Sequence, residues 1–155
     1  MSSAAGASFR QAEPHDAAAI RELVRSAYAK WVPLVGREPR PMQADYDKGV
    51  LEHRFDLVEE DGVLTGLIET VVRDDHLWIE SIAVAPMAQG RGIGRRLLAH
   101  AEVLAREAGR NETRLLTNSA METNIALYRR VGYVEVRREP FLSGFTVYMR
   151  KTLVR

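Results

Sequence analysis

Cysteine is absent from this 155-residue chain. The chain therefore forms no disulfide bond and has no thiolate to act as a nucleophile. Charge of one sign is also scarce, because 22 Lys and Arg side chains are balanced by 21 Asp and Glu side chains, and the formal net charge is +1. A basic surface for nucleic acid is therefore not expected. No apolar run approaches the roughly 20 residues that a membrane-spanning helix needs.

The first eight residues lack the charged segment followed by an apolar segment that marks a secretory signal. We expect residues 1–8 to form a flexible tail and the protein to be cytoplasmic, with neither nucleic acid nor membrane among its partners. The four histidines do not show metal-ligand spacing, so no metal site is expected. They are His15, His53, His76 and His100.

The periodicity of apolar residues predicts an α/β chain with the element order β-α-α-β-β-β-α-β-α-β-β over residues 9–155. A chain of this length suits one domain with a full core. We expect a mixed central sheet of about six to seven strands flanked by about four helices. The segment from Trp31 to Met42 is rich in proline and is predicted to be irregular. Ser119 and Glu122 form the S-x-x-E pattern of a capping box, which predicts that the last helix opens there.

The segment from Ile82 to Leu98 carries the most specific pattern in the chain. An apolar strand runs into Pro86, and a loop with three alternate glycines follows, Gly90, Gly92 and Gly94. The apolar residues that come next recur at helical spacing, so a helix begins on the glycines themselves. The first backbone N–H groups of that helix are unpaired and lie at the positive end of the helix dipole. Such an arrangement binds anions.

Several classes of nucleotide-binding loop share this physics, and spacing separates them. A P-loop ends in Gly-Lys-Ser/Thr, but neither a lysine nor a hydroxyl residue follows Gly92 or Gly94. The dinucleotide fingerprint is G-x-G-x-x-G in a first βαβ unit, whereas this run is G-x-G-x-G and lies past the middle of the chain. The pattern present is Gln89-x-x-Gly92-x-Gly94, preceded by Val84-x-Pro86. It resembles the acyl-CoA signature R/Q-x-x-G-x-G/A of the GNAT superfamily of N-acetyltransferases.

This resemblance covers the element order from Phe9 to Leu153 and implies a single GNAT-like domain over residues 9–155. It also implies acetyl-CoA as co-substrate, with its diphosphate on the loop amides and its pantetheine arm beside the preceding strand. A helix asparagine contacts this arm in relatives, often one turn earlier, where this chain has Met121. The implied cofactor-binding residues are Ile82, Ala83, Val84, Gln89, Gly90, Arg91, Gly92, Ile93, Gly94, Arg95 and Asn124.

The implied reaction is acetyl transfer from the thioester to a primary amine by direct attack in a ternary complex. An alkyl amine has a pKa of about 10.4, so the enzyme must accept a proton from it and must stabilise the departing thiolate. The segment from Asn124 to Tyr133 is similar to the family's N-x-x-L-Y-x-x-x-G-F/Y, in which the tyrosine hydroxyl reaches the CoA sulfur. We therefore expect Tyr128 to be the general acid, since a phenol is mostly protonated at neutral pH.

Glu80 is the predicted general base. It lies on the strand that leads into the glycine loop, where some relatives have a glutamate that deprotonates the amine directly or through water. Glu69 and a water chain are the alternatives. The acceptor amine, a small molecule or a protein amino group, is not identified by the sequence. In relatives the segment equivalent to residues 36–46 shapes the acceptor pocket, and a cation-accepting wall is expected from Trp31, Asp45 and Tyr46.

A second class of function stays open from the sequence. A non-catalytic acyl-CoA-binding sensor or dimerisation module on the same fold needs the glycine loop alone. An acetyltransferase needs a proton path through Glu80 and Tyr128 as well. A homodimer is compatible with both.

Overall fold

A computed structural model describes residues 9–154, so the predicted tail at residues 1–8 lies outside the described part of the chain. Within that part, one mixed sheet has seven strands in the order β1-β2-β3-β4-β5-β7-β6. Among these seven described strands only β4 and β5 pair in parallel, and every other neighbouring pair is antiparallel. The strands are β1 Phe9–Gln11, β2 Arg54–Glu60, β3 Val63–Val72, β4 Leu77–Val84, β5 Glu112–Asn118, β6 Val134–Phe141 and β7 Gly144–Thr152.

The helices in these residues include four that exceed one turn, which agrees with the predicted α/β class. They are α1 Ala17–Tyr28, α4 Tyr46–Glu52, α5 Ile93–Glu107 and α6 Glu122–Val131, and one-turn helices α2 Val32–Val35 and α3 Arg40–Gln43 lie between α1 and α4. In residues 9–154 each helix is too short or too polar to cross a membrane.

Helices cover both faces of the sheet. Successive residues of a strand point to opposite faces, and β2 shows which helix lies on each. The Phe55 ring contacts Tyr46 of α4, with ring centroids 5.9 Å apart. The next residue, Asp56, faces His100 of α5, whose Nε2 lies 3.5 Å from the carboxylate. α1 packs with α4, so α1 and α4 lie on one face and α5 lies on the other.

Two local predictions are wrong. The segment from Trp31 to Met42 is irregular only at residues 36–39, because α2 and α3 lie on either side of them. Pro33 and Pro41 stand in the first turns of these helices and Pro39 is the N-cap of α3, where a missing N–H removes no helical hydrogen bond. Ser119 does not cap α6, which begins at Glu122 after Met121. Its hydroxyl instead accepts a 2.9 Å hydrogen bond from the backbone N–H of Phe145, at the start of β7.

The strands β4 and β5 open a gap in the middle of the sheet. Within residues 9–154 they pair at two positions only, Leu77 with Thr113 and Trp78 with Arg114. β4 keeps its pairing with β3 further along, but the register slips by one residue, and Glu80 is the extra residue of the resulting bulge. A bulge re-aims the side chain that it carries. The gap towards β5 begins at Ile79, after the last paired residue, so Glu80 lies near its start.

Candidate active site

The glycine loop forms one wall of a cleft of about 630 Å³. We name it the glycine cleft. β4 and the first turn of α5 line one side, and α1 and α6 line the other. Among the described residues it contains ten of the eleven cofactor-binding positions implied by the sequence, which are Ile82, Ala83, Val84, Gln89, Gly90, Gly92, Ile93, Gly94, Arg95 and Asn124.

The backbone of the loop explains why it is glycine-rich. Gly90 and Gly92 have φ values of +83° and +82°, in the left-handed region that side chains rarely adopt. Gly92 caps α5, so the free N–H groups of the first turn open beside it. Gly94 differs, because its φ is not positive and a Cβ there would make a tight 3.1 Å contact with Cδ2 of Leu127 on α6. The glycines therefore expose the helix N-terminus and let α6 approach it closely.

Polar side chains tie the loop to its surroundings. Gln89 donates from Nε2 to the carbonyl of Val84 at 3.1 Å and accepts at Oε1 from Nζ of Lys30 at 2.7 Å. Arg91 does not line the glycine cleft, because its guanidinium bonds the carboxylate of Glu60 at 2.6 Å. Its contact with phosphate stays a prediction.

The glycine cleft is suited to a polyanion. Three cationic side chains line it, Lys30, Arg95 and Arg130, and no carboxylate is among its described lining residues. The α5 dipole adds partial positive charge at the same place. Only Arg95 of these three cations belongs to the predicted set, because the other two stand on elements that are brought here by the tertiary fold.

A second cavity of about 290 Å³ continues from the glycine cleft across the gap between β4 and β5. We name it the central cavity. Glu80 lies on its wall, and the segment from Val35 to Pro41 covers it. Four residues line both spaces and therefore stand where the two meet: Tyr28, Ile82, Asn124 and Tyr128.

Tyr128 is buried at this junction, and burial raises the pKa of its phenol to about 12. The hydroxyl is therefore neutral at pH 7 and available as a donor. No hydrogen bond to another residue engages it within residues 9–154. Tyr28, which is not among the residues predicted for the site, donates its hydroxyl to the carbonyl of Ile82 at 2.8 Å. This hydrogen bond could have been expected from the sequence, since a tyrosine on a buried helix face needs a partner for its hydroxyl.

Glu80 is half-buried, and a neighbour on the same strand orients it. The indole Nε1 of Trp78 donates to Oε1 of Glu80 at 2.8 Å. Glu80 also lines a third cavity of about 390 Å³, on the side of α3 and α4, which we name the acidic cavity. One carboxylate thus lies on the wall of two cavities.

Glu69, the second candidate base, is buried in the acidic cavity. Burial raises the pKa of its carboxyl, although two hydrogen bonds oppose that effect. Ser81 donates from Oγ at 2.9 Å, and Nδ1 of His53 lies 2.7 Å from Oε2. His53 is not among the predicted site residues. Its contact with Glu69 is formed by packing of the end of α4 against β3, between residues 16 positions apart, and no local pattern indicates it.

The expected cation-accepting wall is not a single surface. Trp31 lines the glycine cleft, whereas Asp45 and Tyr46 line the acidic cavity. The Tyr46 hydroxyl donates to the carbonyl of Pro41 at 2.7 Å, which holds α3 against α4. The three residues are adjacent to different ligand spaces because α2 and α3 separate them along the chain.

Residues 17–133 match the Acetyltransferase (GNAT) family. The chain is 32% identical over 151 residues to streptothricin acetyltransferase from Streptomyces lavendulae, a match that covers 81% of this chain and 80% of the relative. The PaiA N-acetyltransferase from Thermoplasma acidophilum, solved in complex with coenzyme A, has a TM-score of 0.80 at 18% identity, covering 94% of this chain and 98% of that chain. YncA from Salmonella typhimurium, solved with its cofactor acetyl-CoA, has a TM-score of 0.72 at 21% identity, covering 96% and 95%.

The family match assigns the protein to the acyltransferase class. The chain belongs to the acetyltransferase (GNAT) family.

Proposed function

We propose that the protein transfers an acetyl group from acetyl-CoA to a primary amine, by direct attack in a ternary complex. The observation that supports this most strongly is the junction at Tyr128, where a cation-lined cleft meets a cavity that has Glu80 on its wall. A cofactor in one space and an amine in the other would place the thioester between the two proton-transfer candidates, Tyr128 and Glu80.

The glycine cleft supports acetyl-CoA as the donor. The open N–H groups at Gly92 and the Arg95 guanidinium suit a diphosphate. The pantetheine arm of the cofactor would then pass Ile82–Val84 of β4, which does not pair with β5 there. It would reach Asn124 on α6. The Tyr128 hydroxyl is then the neutral donor available to the thiolate.

The central cavity supports an amine as the acceptor. The wall carries two carboxylates, Glu38 and Glu80, and two guanidinium groups, Arg37 and Arg40. Glu38 is paired with Arg25 at 3.1 Å, so Glu80 is the carboxylate that we expect a protonated amine to approach. The amine must lose a proton before it can attack, and a carboxylate at the cavity wall is placed to accept it. The name of the Thermoplasma relative specifies N-acetylation, and that of the Streptomyces relative specifies streptothricin as its acceptor. Both agree with an amine here, which the acceptor assay below tests.

A panel of acceptors tests this proposal. Purified protein is mixed with acetyl-CoA and with polyamines, aminoglycosides, amino acids or N-terminal peptides, and release of free thiol is followed. Each amine is paired with the alcohol of the same skeleton, so that N-acetylation and O-acetylation are distinguished in one assay. We expect turnover with at least one amine and none with its alcohol.

Turnover with the alcohols alone would overturn the choice of acceptor. Tight acetyl-CoA binding by calorimetry without turnover on any amine would overturn catalysis and would favour a non-catalytic acyl-CoA sensor on the same fold.

A further inference from the structure

The proposed reaction releases one proton in each turnover. An ammonium and the thioester give an amide, free thiol and H⁺: the N–C bond forms and the C–S bond breaks. Of the two protons that leave nitrogen, one ends on sulfur and the other must leave the protein. Glu80, the candidate that accepts this second proton, is half-buried at the gap in the sheet and must release it before the next turnover.

We propose that Glu69 and His53 conduct this proton from Glu80 to solvent through the acidic cavity. The inference rests on the proposed function. Its two residues relay a proton that has already left the substrate, and they do not contact the reacting atoms.

The hydrogen bonds give the route two distinct ends. At the inner end, Glu69 accepts from the hydroxyl of Ser81, the residue that follows Glu80 on β4. At the outer end, Glu69 contacts Nδ1 of His53 at 2.7 Å. The Glu69 side chain is 8% exposed, whereas that of His53 is 31% exposed. The pair therefore spans the distance from the buried strands to the surface.

The acidic cavity connects this pair with Glu80. Glu69, Glu80, Ser81 and His53 all line it, and Glu80 also lines the central cavity, where the amine is expected. A proton accepted on one side of Glu80 can thus be released on the other. The remaining charged or titratable groups on the wall come from α3 and α4 and its N-cap: Arg40, Asp45, Tyr46, Lys48 and Glu52.

The chemistry of the pair suits transfer better than simple structural pairing. Burial raises the pKa of the Glu69 carboxyl, which brings its proton exchange nearer to the working pH. Imidazole exchanges protons near neutrality, and a partly exposed ring can pass them to buffer. A pair that served stability alone would need neither the cavity nor an exposed outer partner.

Rescue by a soluble base tests the relay. His53→Ala removes the outer partner, and His53→Gln keeps a polar side chain beside Glu69 but does not titrate. In dilute buffer we expect both variants to lose kcat on the order of tenfold, less than the 10²–10⁴ of a group that exchanges protons directly with the reacting atoms. Added imidazole should restore kcat in His53→Ala, and KM for acetyl-CoA should stay constant. His15→Ala, at an exposed histidine near the start of α1, is the matched control and should behave like the parent.

Three outcomes separate the possibilities. A His53→Ala variant as fast as the parent in dilute buffer overturns the relay, and so does a loss that imidazole leaves unchanged. If His53→Ala does not fold, an unchanged kcat in folded His53→Gln overturns it equally. Failure of the proposed function differs from all of these, because the parent itself would then release no thiol with any amine.

Discussion

At the scale of single residues, Tyr128 separates an enzyme from a binding protein. Tyr128→Phe keeps the buried ring and its contact with Tyr133, whose centroid lies 6.0 Å away, and removes the hydroxyl alone. We expect kcat to fall on the order of 10²-fold, because the lost stabilisation exists mainly in the transition state. Acetyl-CoA affinity should change by less than about threefold, since no ground-state hydrogen bond is lost. Thiol release and calorimetry measure the two effects separately. Full activity in Tyr128→Phe would mean that the Tyr128 side chain serves packing alone.

Glu80 is tested by the pH dependence of its variant. Glu80→Gln retains an oxygen that can accept from the Trp78 indole, so the local geometry should survive. The rate should fall mainly below about pH 9, where an amine needs help to lose its proton, and should approach that of the parent at higher pH. The pH–rate profiles of both proteins are the measurement. Superimposable profiles would assign the base to Glu69 or to a water chain.

The buried Glu69 carboxyl should make the free energy of unfolding change with pH in a defined direction. Burial raises the pKa of its carboxyl above the value in the unfolded chain. The protein is therefore most stable when this group is protonated, below its ordinary pKa, and loses that stability as the pH rises through the folded-state pKa. Glu69→Gln removes this dependence. The unfolding free energy of the variant minus that of the parent should increase between pH 4 and pH 8, as measured by denaturant titration.

A decrease of that difference over the same range would show that the His53 contact outweighs burial. His15→Ala again serves as the control, since its ring is exposed and is not among the described residues that line the acidic cavity.

At the scale of elements, the N-terminus of α5 is the feature on which cofactor binding depends. Gly92→Glu places a carboxylate where the diphosphate is expected, and acetyl-CoA affinity should fall by at least about 100-fold. Gly109→Glu is the matched control. Gly109 has a φ of +73°, is equally free of neighbours, and follows the far end of the same helix, roughly 22 Å away.

Both glycine variants incur the same kind of backbone strain, so calorimetry on the folded proteins isolates the effect of position. If both variants bind acetyl-CoA with the same affinity, the prediction that the diphosphate lies at the α5 N-terminus is wrong.

The elements also show what sequence can and cannot predict here. The glycine cleft was predictable because strand, loop and helix are contiguous, and Val84 through Gly94 is a local pattern. The start of α6 was not, because the Ser119 hydroxyl is bound by the backbone of β7 rather than by the helix. The Glu69–His53 pair and the bulge at Glu80 were also beyond local pattern, since the first depends on how the end of α4 packs against β3 and the second on the register between β3 and β4.

At the scale of the whole molecule, the gap divides the sheet into β1–β4 and β5–β7, joined by two register positions in the described residues. A ligand in the glycine cleft contacts α1, β4, α5 and α6 together. At 100 times Kd, acetyl-CoA should stabilise the fold by about 2.7 kcal/mol and raise Tm by about 5–10 °C. Thermal scans measure this, with Gly92→Glu as the variant that should not respond. No shift at 100 times Kd would mean that acetyl-CoA does not bind the native fold in preference to the unfolded chain.

The open edge of β4 also bears on the tendency of the protein to aggregate. An unpaired strand edge is a template for another chain, and natural sheets usually protect such edges by position or by charge. Here the edge from Ile79 to Val84 stands inside the sheet and carries mostly apolar side chains. An extended pantetheine arm along β4, as proposed above, would shield this edge from other chains. Protein made during acetyl-CoA shortage should aggregate more readily than the same protein made in abundance.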